Sequence, residues 1–364
     1  MLFIIYLMLL MTFINPRDIR KILLIKLKGI GDVVLSTIVF DNLRETFPDA
    51  AIDFLTEPPS LPLLEPLPFI NQVILFRKKE PASALKLIWE VMKQRYDLVI
   101  DMYSNPRTAL VTYLSGARYR AGFPYRGRAY SYNLQGPIER GSMHAALLHL
   151  ELLKYIGIPA DKKKLYFGLT DKDIDFARNF FFSIFAPEDK VIAISPSGGW
   201  DSKKCEADKF VEFALHIRQA FKVKFLLVWG PGDKEDAETI SRGLGVDAVL
   251  SPNSTIREMG ALMKNCIAVI ANDSGPMHIG AALGVPVLSI HGPTIPQFQG
   301  PFGDKNMFVR FDELDCIGCN LLNCPKKHEC FRGLTRERML ELFNQLLVNY
   351  NIILPINEKR RDIF

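Results

Sequence analysis

No run of apolar residues in this chain reaches the ~20 needed to cross a bilayer as a helix. The apolar stretch Met1–Ile14 stops short of that, and it has neither the basic start nor the small-residue cleavage site of a secretory signal. Three expectations remain for it: an over-extended start with Met11 as the initiator, a helix packed on the protein, or, ranked below both, an interfacial anchor. Charge of one sign is not in large excess either. Lys and Arg number 45 against 40 Asp and Glu, a net of +5. That mild excess suits an anionic substrate or a membrane surface and falls far short of a nucleic-acid-binding stripe. Cysteine is scarce at six residues, four of them between 316 and 330. Without a secretory signal the expected compartment is the cytoplasm, with these thiols reduced or metal-bound. Short-period repeats and low-complexity tracts are missing, which excludes a solenoid.

What is present is a regular alternation. The 364 residues are too many for one typical core and suit two α/β domains of roughly 150 residues each. Strand-like runs fall at Ile22–Leu27, Ala51–Leu55, Val73–Phe76 and Asp97–Met102, with helical stretches such as Ala84–Arg95 and His144–Ile156 between them. The second half repeats the scheme with Val191–Ser195, Lys224–Trp229, Ala248–Leu250, Ile267–Ala271 and Val285–Ile290. The expected organisation is an apolar extension 1–16, a Rossmann-like domain 17–169, a linker 170–190 hinged near Pro187, a second Rossmann-like domain 191–334, and a helix and tail 335–364.

Asn272-Asp273-Ser274-Gly275-Pro276-Met277-His278 is the most telling segment, because an apolar run precedes it and a small-residue helix and a second strand follow. A turn feeding a helix N-terminus points free backbone N–H groups and the positive end of the helix dipole at a bound anion, and Gly275 lets phosphate oxygens approach closely. Asp273 and His278 flank that cradle. Taken alone, Asp-Ser-Gly is also an ordinary turn and His278 an ordinary structural histidine. Near the N-terminus, Lys21–Leu27 reads as a buried parallel strand, Lys28-Gly29-Ile30-Gly31-Asp32 as a glycine turn, and Val33–Phe47 as a helix. As a dinucleotide fingerprint the turn is incomplete, since Val34 holds the third glycine's position. It places Asp32 at the C-terminal edge of the first strand, with a helix-capping role as the alternative.

Together the run Lys26–Thr37, the run Asp273–Ala282 and His291-Gly292-Pro293-Thr294 resemble glycosyltransferase family 9, the lipopolysaccharide heptosyltransferases, over about Arg20 to Gln345. Cys316-x2-Cys319-x4-Cys324-Pro325-x2-His328-x-Cys330 is similar to the cysteine-rich tail of the heptosyltransferase II type. The resemblance implies an α/β fold of the GT-B kind, two Rossmann-like domains facing across a cleft. It implies inverting transfer of a heptose from ADP-heptose to the inner core of lipopolysaccharide on lipid A, by a peripheral enzyme on the cytoplasmic face of the inner membrane. A monomer without nucleic-acid partner or required cofactor is expected.

Such a transfer needs a base for the acceptor hydroxyl and cationic or N–H groups for the departing diphosphate. Asp32 matches the acidic position of the family's N-terminal motif and is the expected base. Lys203 is the first choice for the leaving group, with Ser197 and Gly198 as phosphate donors in the same strand-to-helix loop. Where relatives carry a Lys-x-Trp-Pro-like run this chain has Lys203-Lys204-Cys205-Glu206, so Lys204 stays an alternative. On the donor side the resemblance adds Asp273, Ser274, Gly275 and His278, puts a ribose ligand at Glu235 with Asp233 competing, and a nucleobase contact at Ser254; the last two positions could equally be helix caps. Lys28 and the arginines Arg118, Arg120, Arg126 and Arg128, interleaved with aromatic rings, suit the carboxylates, phosphates and sugar faces of the acceptor.

Two other functions fit parts of the chain. An NAD-dependent oxidoreductase would use Gly29-x-Gly31 with Asp53 or Glu57 on the ribose, and a related family 9 transferase would take another nucleotide-sugar or acceptor. Spacings of two, four and five among Cys316, Cys319, Cys324 and Cys330 are not those of a zinc ribbon. Packed reduced thiols are therefore expected, with a metal held by these four as the alternative.

Overall fold

The computed structural model describes residues 14–357 apart from 79, 81 and 139–142, so the expectations for the first thirteen residues lie outside it. The chain divides into two compact units, one ending at Gly168 and the other beginning at Leu169. The first holds β1 (Lys21–Ile25), β2 (Ala51–Thr56), β3 (Gln72–Leu75), β4 (Leu98–Asp101), β5 (Tyr119–Gly122) and β6 (Leu134–Gln135), in the order β3-β2-β1-β4-β5-β6. The second holds β7 (Val191–Ser195), β8 (Lys224–Leu227), β9 (Ala248–Leu250), β10 (Ala268–Asn272), β11 (Val287–His291) and β12 (Met307–Arg310), in the order β12-β11-β10-β7-β8-β9. Every pairing is parallel. Counted from its own first strand, the second sheet repeats the order of the first.

The strands read as continuous apolar runs because helices cover both faces of a parallel sheet; β7 and β10 are buried along their whole length. In the first unit the covering helices are α1 (Ile30–Ser36), α2 (Phe40–Thr46), α3 (Ser83–Gln94), α4 (Pro106–Leu114) and α5 (Ala145–Tyr155). In the second they are α6 (Asp171–Ile184), α7 (Ala207–Ala220), α8 (Lys234–Leu244), α9 (Ile256–Lys264), α10 (Gly275–Ala282) and α11 (Arg336–Asn349). Phe210, Phe213 and Ile217 of α7 and Phe343 and Leu346 of α11 fill the core of the second unit. The stretch after Leu169 opens α6 with a capping box between Thr170 and Asp173, and Arg257 of α9 pairs with Asp173 at 3.0 Å.

Val33–Phe47 is not one helix. The hydroxyls of Ser36 and Thr37 donate to the carbonyls of Val33 and Val34 at 2.7 and 2.6 Å, and a 3-10 turn at Thr37–Val39 separates α1 from α2. Hydroxyl back-bonding of this kind loosens and bends a helix. No helix among the described residues is long and apolar enough to cross a membrane.

In each sheet the order reverses between two central strands, β1 and β4 in the first, β7 and β10 in the second. There the covering helices leave toward opposite faces, which opens a crevice at the carboxyl ends of the strands.

Candidate active-site groups in each unit

The crevice of the second unit is where its charged residues collect. β7 ends at Ser195 and runs into the Ser197–Lys204 loop; β10 ends at Asn272 and runs through Asp273 into α10. Asn272 ties the two strand ends together, its Nδ2 donating to the Pro196 carbonyl at 2.8 Å and its Oδ1 accepting from the Cys205 N–H. A Cβ on Gly198 would lie 2.5 Å from Lys204 Cγ, so a glycine there lets residues 203–204 fold back over the loop. As a result Lys203 Nζ lies 2.7 Å from Asp273 Oδ2, both side chains almost fully buried, and 4.1 Å from the centre of the Trp200 ring.

A directed hydrogen-bond chain backs this pair. The Thr294 hydroxyl donates to Asp273 Oδ2 at 2.5 Å. Its oxygen is then left to accept from His291 Nδ1 at 3.2 Å, and His291 Nε2 to accept from the Ser289 hydroxyl at 2.9 Å. The imidazole in this chain is neutral: burial pushes the His291 pKa down to about 4 against the pull of Asp273. Burial alone would raise the Asp273 carboxyl, but the His291 ring, once acid protonates it, and Lys203, with hydrogen bonds from Lys203 and Thr294, outweigh burial and hold Asp273 below its ordinary value. The result is a fixed, ionised carboxylate with a fixed ammonium against it.

Next to the pair, α10 starts at Gly275 with Ser274 as its N-cap, and the Ser274 side chain makes no capping bond. The Ser274 hydroxyl instead donates back to the Asn272 carbonyl. An anion placed there would meet unused donors and the helix dipole.

Lys204 is placed differently. Its ammonium pairs with Asp233 at 2.7 Å and lies 3.8 Å from Asp236, and the Asp233 hydrogen bond raises its pKa despite partial burial. Glu235 is exposed in the first turn of α8, whose N-cap Asp233 makes no capping bond. Ser254 is not a cap either, because Thr255 caps α9 through a box with Glu258. His278 is buried in α10.

In the first unit Asp32 stands at the third position of α1, immediately after β1, and the N-cap is Gly29 rather than the aspartate. Gly29 has φ +65°, and a Cβ on it would come 2.7 Å from Asp32 Oδ2, so the carboxylate is folded over the glycine. Lys26 Nζ lies 3.6 Å from Asp32 Oδ1, and the carboxylate is about half exposed at 54%. Lys28 is exposed in the same turn with φ +68°.

The arginines divide. Arg126 and Arg128 line a groove of about 630 Å³ with Tyr103, Asn105 and Tyr125, at the carboxyl ends of β4 and β5. Arg118 is instead exposed beside Asp18 at 3.5 Å, and Arg120 donates to the carbonyls of Ala117 and Ser131, which makes it a brace for its own loop. Under the groove, buried Asp101 accepts from the Tyr132 hydroxyl at 2.8 Å and from the Ser104 N–H at 2.7 Å. Burial raises the Asp101 carboxyl, with these hydrogen bonds opposing.

Asp53 is out of reach of a ribose. It is fully buried inside β2 and accepts from Asn71, Gln72 and the Tyr96 hydroxyl, while Glu57 is paired with Lys78 at 2.6 Å. Sequence reasoning assigned no role to Lys26, Trp200, Ser289, His291 or Thr294. The His291-Gly292-Pro293-Thr294 run was the available signal, a histidine and a hydroxyl three residues apart at a strand end.

The cysteine segment packs against the Ser202 loop and the Gly292–Pro293 loop. The Ser202 N–H and hydroxyl bond to the carbonyls of Leu322 and Leu321, Gly318 N–H bonds to Gly292, and Asn320 N–H to Pro293. Among the described residues no group of three or more His, Cys, Asp or Glu is arranged to hold a metal. Burial, with the other cysteines nearby, pushes the Cys330 thiol up to about 12.

Two Rossmann-like units with charged groups at the carboxyl edges of their sheets define an α/β protein of the GT-B glycosyltransferase class. The sequence profile of glycosyltransferase family 9 (heptosyltransferase) matches residues 84–328, and the chain belongs to that family. It is 26% identical to lipopolysaccharide heptosyltransferase 3 of Escherichia coli K12, over 83% of this chain and 89% of that one. It is 24% identical to lipopolysaccharide heptosyltransferase 2 of the same strain, over 90% and 99%. Among solved structures it resembles the family 9 glycosyl transferase of Veillonella parvula (TM-score 0.80, 22% identity, 92% of this chain and 99% of that one). It also resembles the E. coli ADP-heptose lipopolysaccharide heptosyltransferase II (TM-score 0.72, 22% identity, 91% and 99%).

Proposed function

We propose that this glycosyltransferase moves a heptose from ADP-heptose to the inner core of a lipopolysaccharide acceptor, with inversion at the anomeric carbon. The donor is the one for which its relative, the E. coli heptosyltransferase II, is named. The observation that carries the reading is the buried Lys203–Asp273 pair beside the uncapped start of α10, a place built for a diphosphate.

In this reading the second unit binds ADP-heptose. The α10 N-terminus and the Ser274–Gly275 backbone take the diphosphate, with Ser197 and Gly198 on the other strand end. Lys203, oriented by Asp273, meets the negative charge that grows on the diphosphate as its bond to the anomeric carbon breaks. Asp273 has two protein donors and keeps capacity for a sugar hydroxyl. Glu235 takes the ribose, Ser254 the base, and His278 completes the sugar side. Asp32 removes the proton from the acceptor hydroxyl as its oxygen bonds the anomeric carbon, and ADP leaves with the electron pair of the broken bond. Lys26, 3.6 Å from it, positions the carboxylate. Arg126 and Arg128, with Lys28, hold the anionic groups of the acceptor. The enzyme works at the cytoplasmic face of the inner membrane as a peripheral protein, and no step requires a bound metal.

Calorimetry tests the donor site. ADP should bind the intact protein, and Lys203→Ala should weaken it roughly tenfold or more, because a charge-assisted contact to an anion is lost. Lys204→Ala should do much less. Equal affinity in Lys203→Ala and parent, or tight NAD binding without ADP binding, contradicts the reading.

A further inference from the structure

The first unit carries large apolar side chains where no core lies. On α3, Leu85, Trp89 and Met92 recur at the spacing of one helical stripe and are 72%, 62% and 51% exposed, while the buried Leu87 and Val91 lie on another stripe. The neighbouring α4 repeats this, exposing Leu110, Tyr113 and Leu114 while burying Thr108, Ala109 and Val111. The two helices are neighbours, and Ala84 and Ile88 of α3 with Leu110 of α4 line one small apolar hollow between them. The Tyr130 ring extends it, edge-on to Tyr113 at 5.8 Å. Single exposed apolar residues are ordinary; a contiguous two-helix patch is not.

The charge around this patch is mainly positive. Lys86, Lys93 and Arg107 are exposed on the two helices and have no carboxylate partner among the described residues, whereas Glu90 is the one acidic residue of either helix. The Lys93 ammonium lies 4.3 Å from the centre of the Trp89 ring. An indole with an ammonium over it, among leucines and a basic rim, suits the boundary between acyl chains and anionic headgroups. The patch also leads to the groove: Pro106, the first residue of α4, forms part of the wall that Arg126 and Arg128 line.

We propose that the α3–α4 face docks on an anionic lipid bilayer, with Leu85, Trp89 and Leu110 in the interface and Lys86, Lys93 and Arg107 on lipid phosphates. A lipid-borne acceptor then presents its sugars to the groove at the start of α4; this last clause rests on the acceptor reading above.

The test uses the full chain with vesicles of phosphatidylcholine, alone or mixed with phosphatidylglycerol. The protein should sediment with the mixed vesicles and be released by salt. Brominated lipid should quench its tryptophan fluorescence, and Trp89→Phe should abolish that quenching while the melting temperature holds. The triple variant Leu85→Ser, Trp89→Ser, Leu110→Ser should lower vesicle partition by about tenfold or more, with transfer to a deacylated, water-soluble acceptor unchanged. Persistent quenching in Trp89→Phe, partition unaltered in the triple variant, or no preference for anionic vesicles overturns the proposal. So does a parent dimer that the triple variant converts to monomer in sedimentation velocity, because a second copy is then the occupant. A parent that binds vesicles but fails with the soluble acceptor leaves docking intact and overturns the functional reading instead.

Discussion

His291 shows how much one buried side chain can do for a site it does not enter. Its imidazole passes hydrogen bonds from Ser289 to Thr294, whose hydroxyl donates to Asp273, so losing any member loosens the carboxylate that orients Lys203. This arrangement carries a pH signature. The folded His291 pKa, pushed by burial to about 4, lies below the ordinary 6.5, so the folded protein binds fewer protons than the unfolded chain between those values. Its contribution is present above pH 6.5 and is lost as pH falls toward 4, roughly 3 kcal/mol over the window. Asp273, also held low, adds stability lost only at still lower pH. Melting temperatures measured from pH 7 to pH 4 should therefore fall less steeply for His291→Asn than for the parent, although the variant is less stable at pH 7. Parallel profiles would contradict the neutral, buried imidazole.

At the scale of elements, the glycine turn after β1 is where backbone and chemistry are coupled. Gly29 in its left-handed conformation lets Asp32 fold back over it. In Gly29→Ala the methyl group occupies the space of Asp32 Oδ2 in a backbone conformation that costs an L-residue about 1 kcal/mol. Stability should drop by about that much while kcat falls tenfold to a hundredfold, since small misplacement of a base is expensive. Unchanged kcat with a lowered melting temperature would mean that Asp32 needs no such support. Element by element, the inner strands were legible because parallel burial writes uninterrupted apolar runs; the runs read as Ile22–Leu27 and Ile267–Ala271 became β1 and β10 within a residue or two. Two edge strands were legible as well, β3 as Val73–Phe76 and β9 as Ala248–Leu250, but β5, β6 and β12 were not. β5 contains Arg120, which braces a loop, β6 has two residues, and β12 is only partly buried, so none has a pattern distinct from a loop. The site divides in the same way: Asp32, Lys203 and Asp273 stand in turn motifs that sequence shows, whereas the Ser289–His291–Thr294 chain depends on which side chains converge after folding.

For the whole molecule, the repeated strand order gives two crevices, one that places Asp32 and one that places Lys203 and Asp273. The cysteine segment bonds to the loops of Ser202 and of Gly292–Pro293, so its part is to hold those two loops in place. Elemental analysis of purified protein should accordingly find metal well below one equivalent, and a chelator should leave the melting temperature unchanged. In the folded chain the exposed Cys319 should alkylate first and Cys330, with its raised pKa, late. Stoichiometric metal would instead make the segment a metal-folded one. Everything here meets in a single reaction, incubation of ADP-heptose and a heptose-accepting core oligosaccharide with the parent protein and with Asp32→Asn, followed by mass spectrometry of the oligosaccharide. The parent should add one heptose and release ADP. Asp32→Asn should bind ADP within a few-fold of the parent yet transfer about 10²-fold or more slowly. An unmodified oligosaccharide with the parent, or transfer by Asp32→Asn at more than about a tenth of the parent rate, would contradict the account.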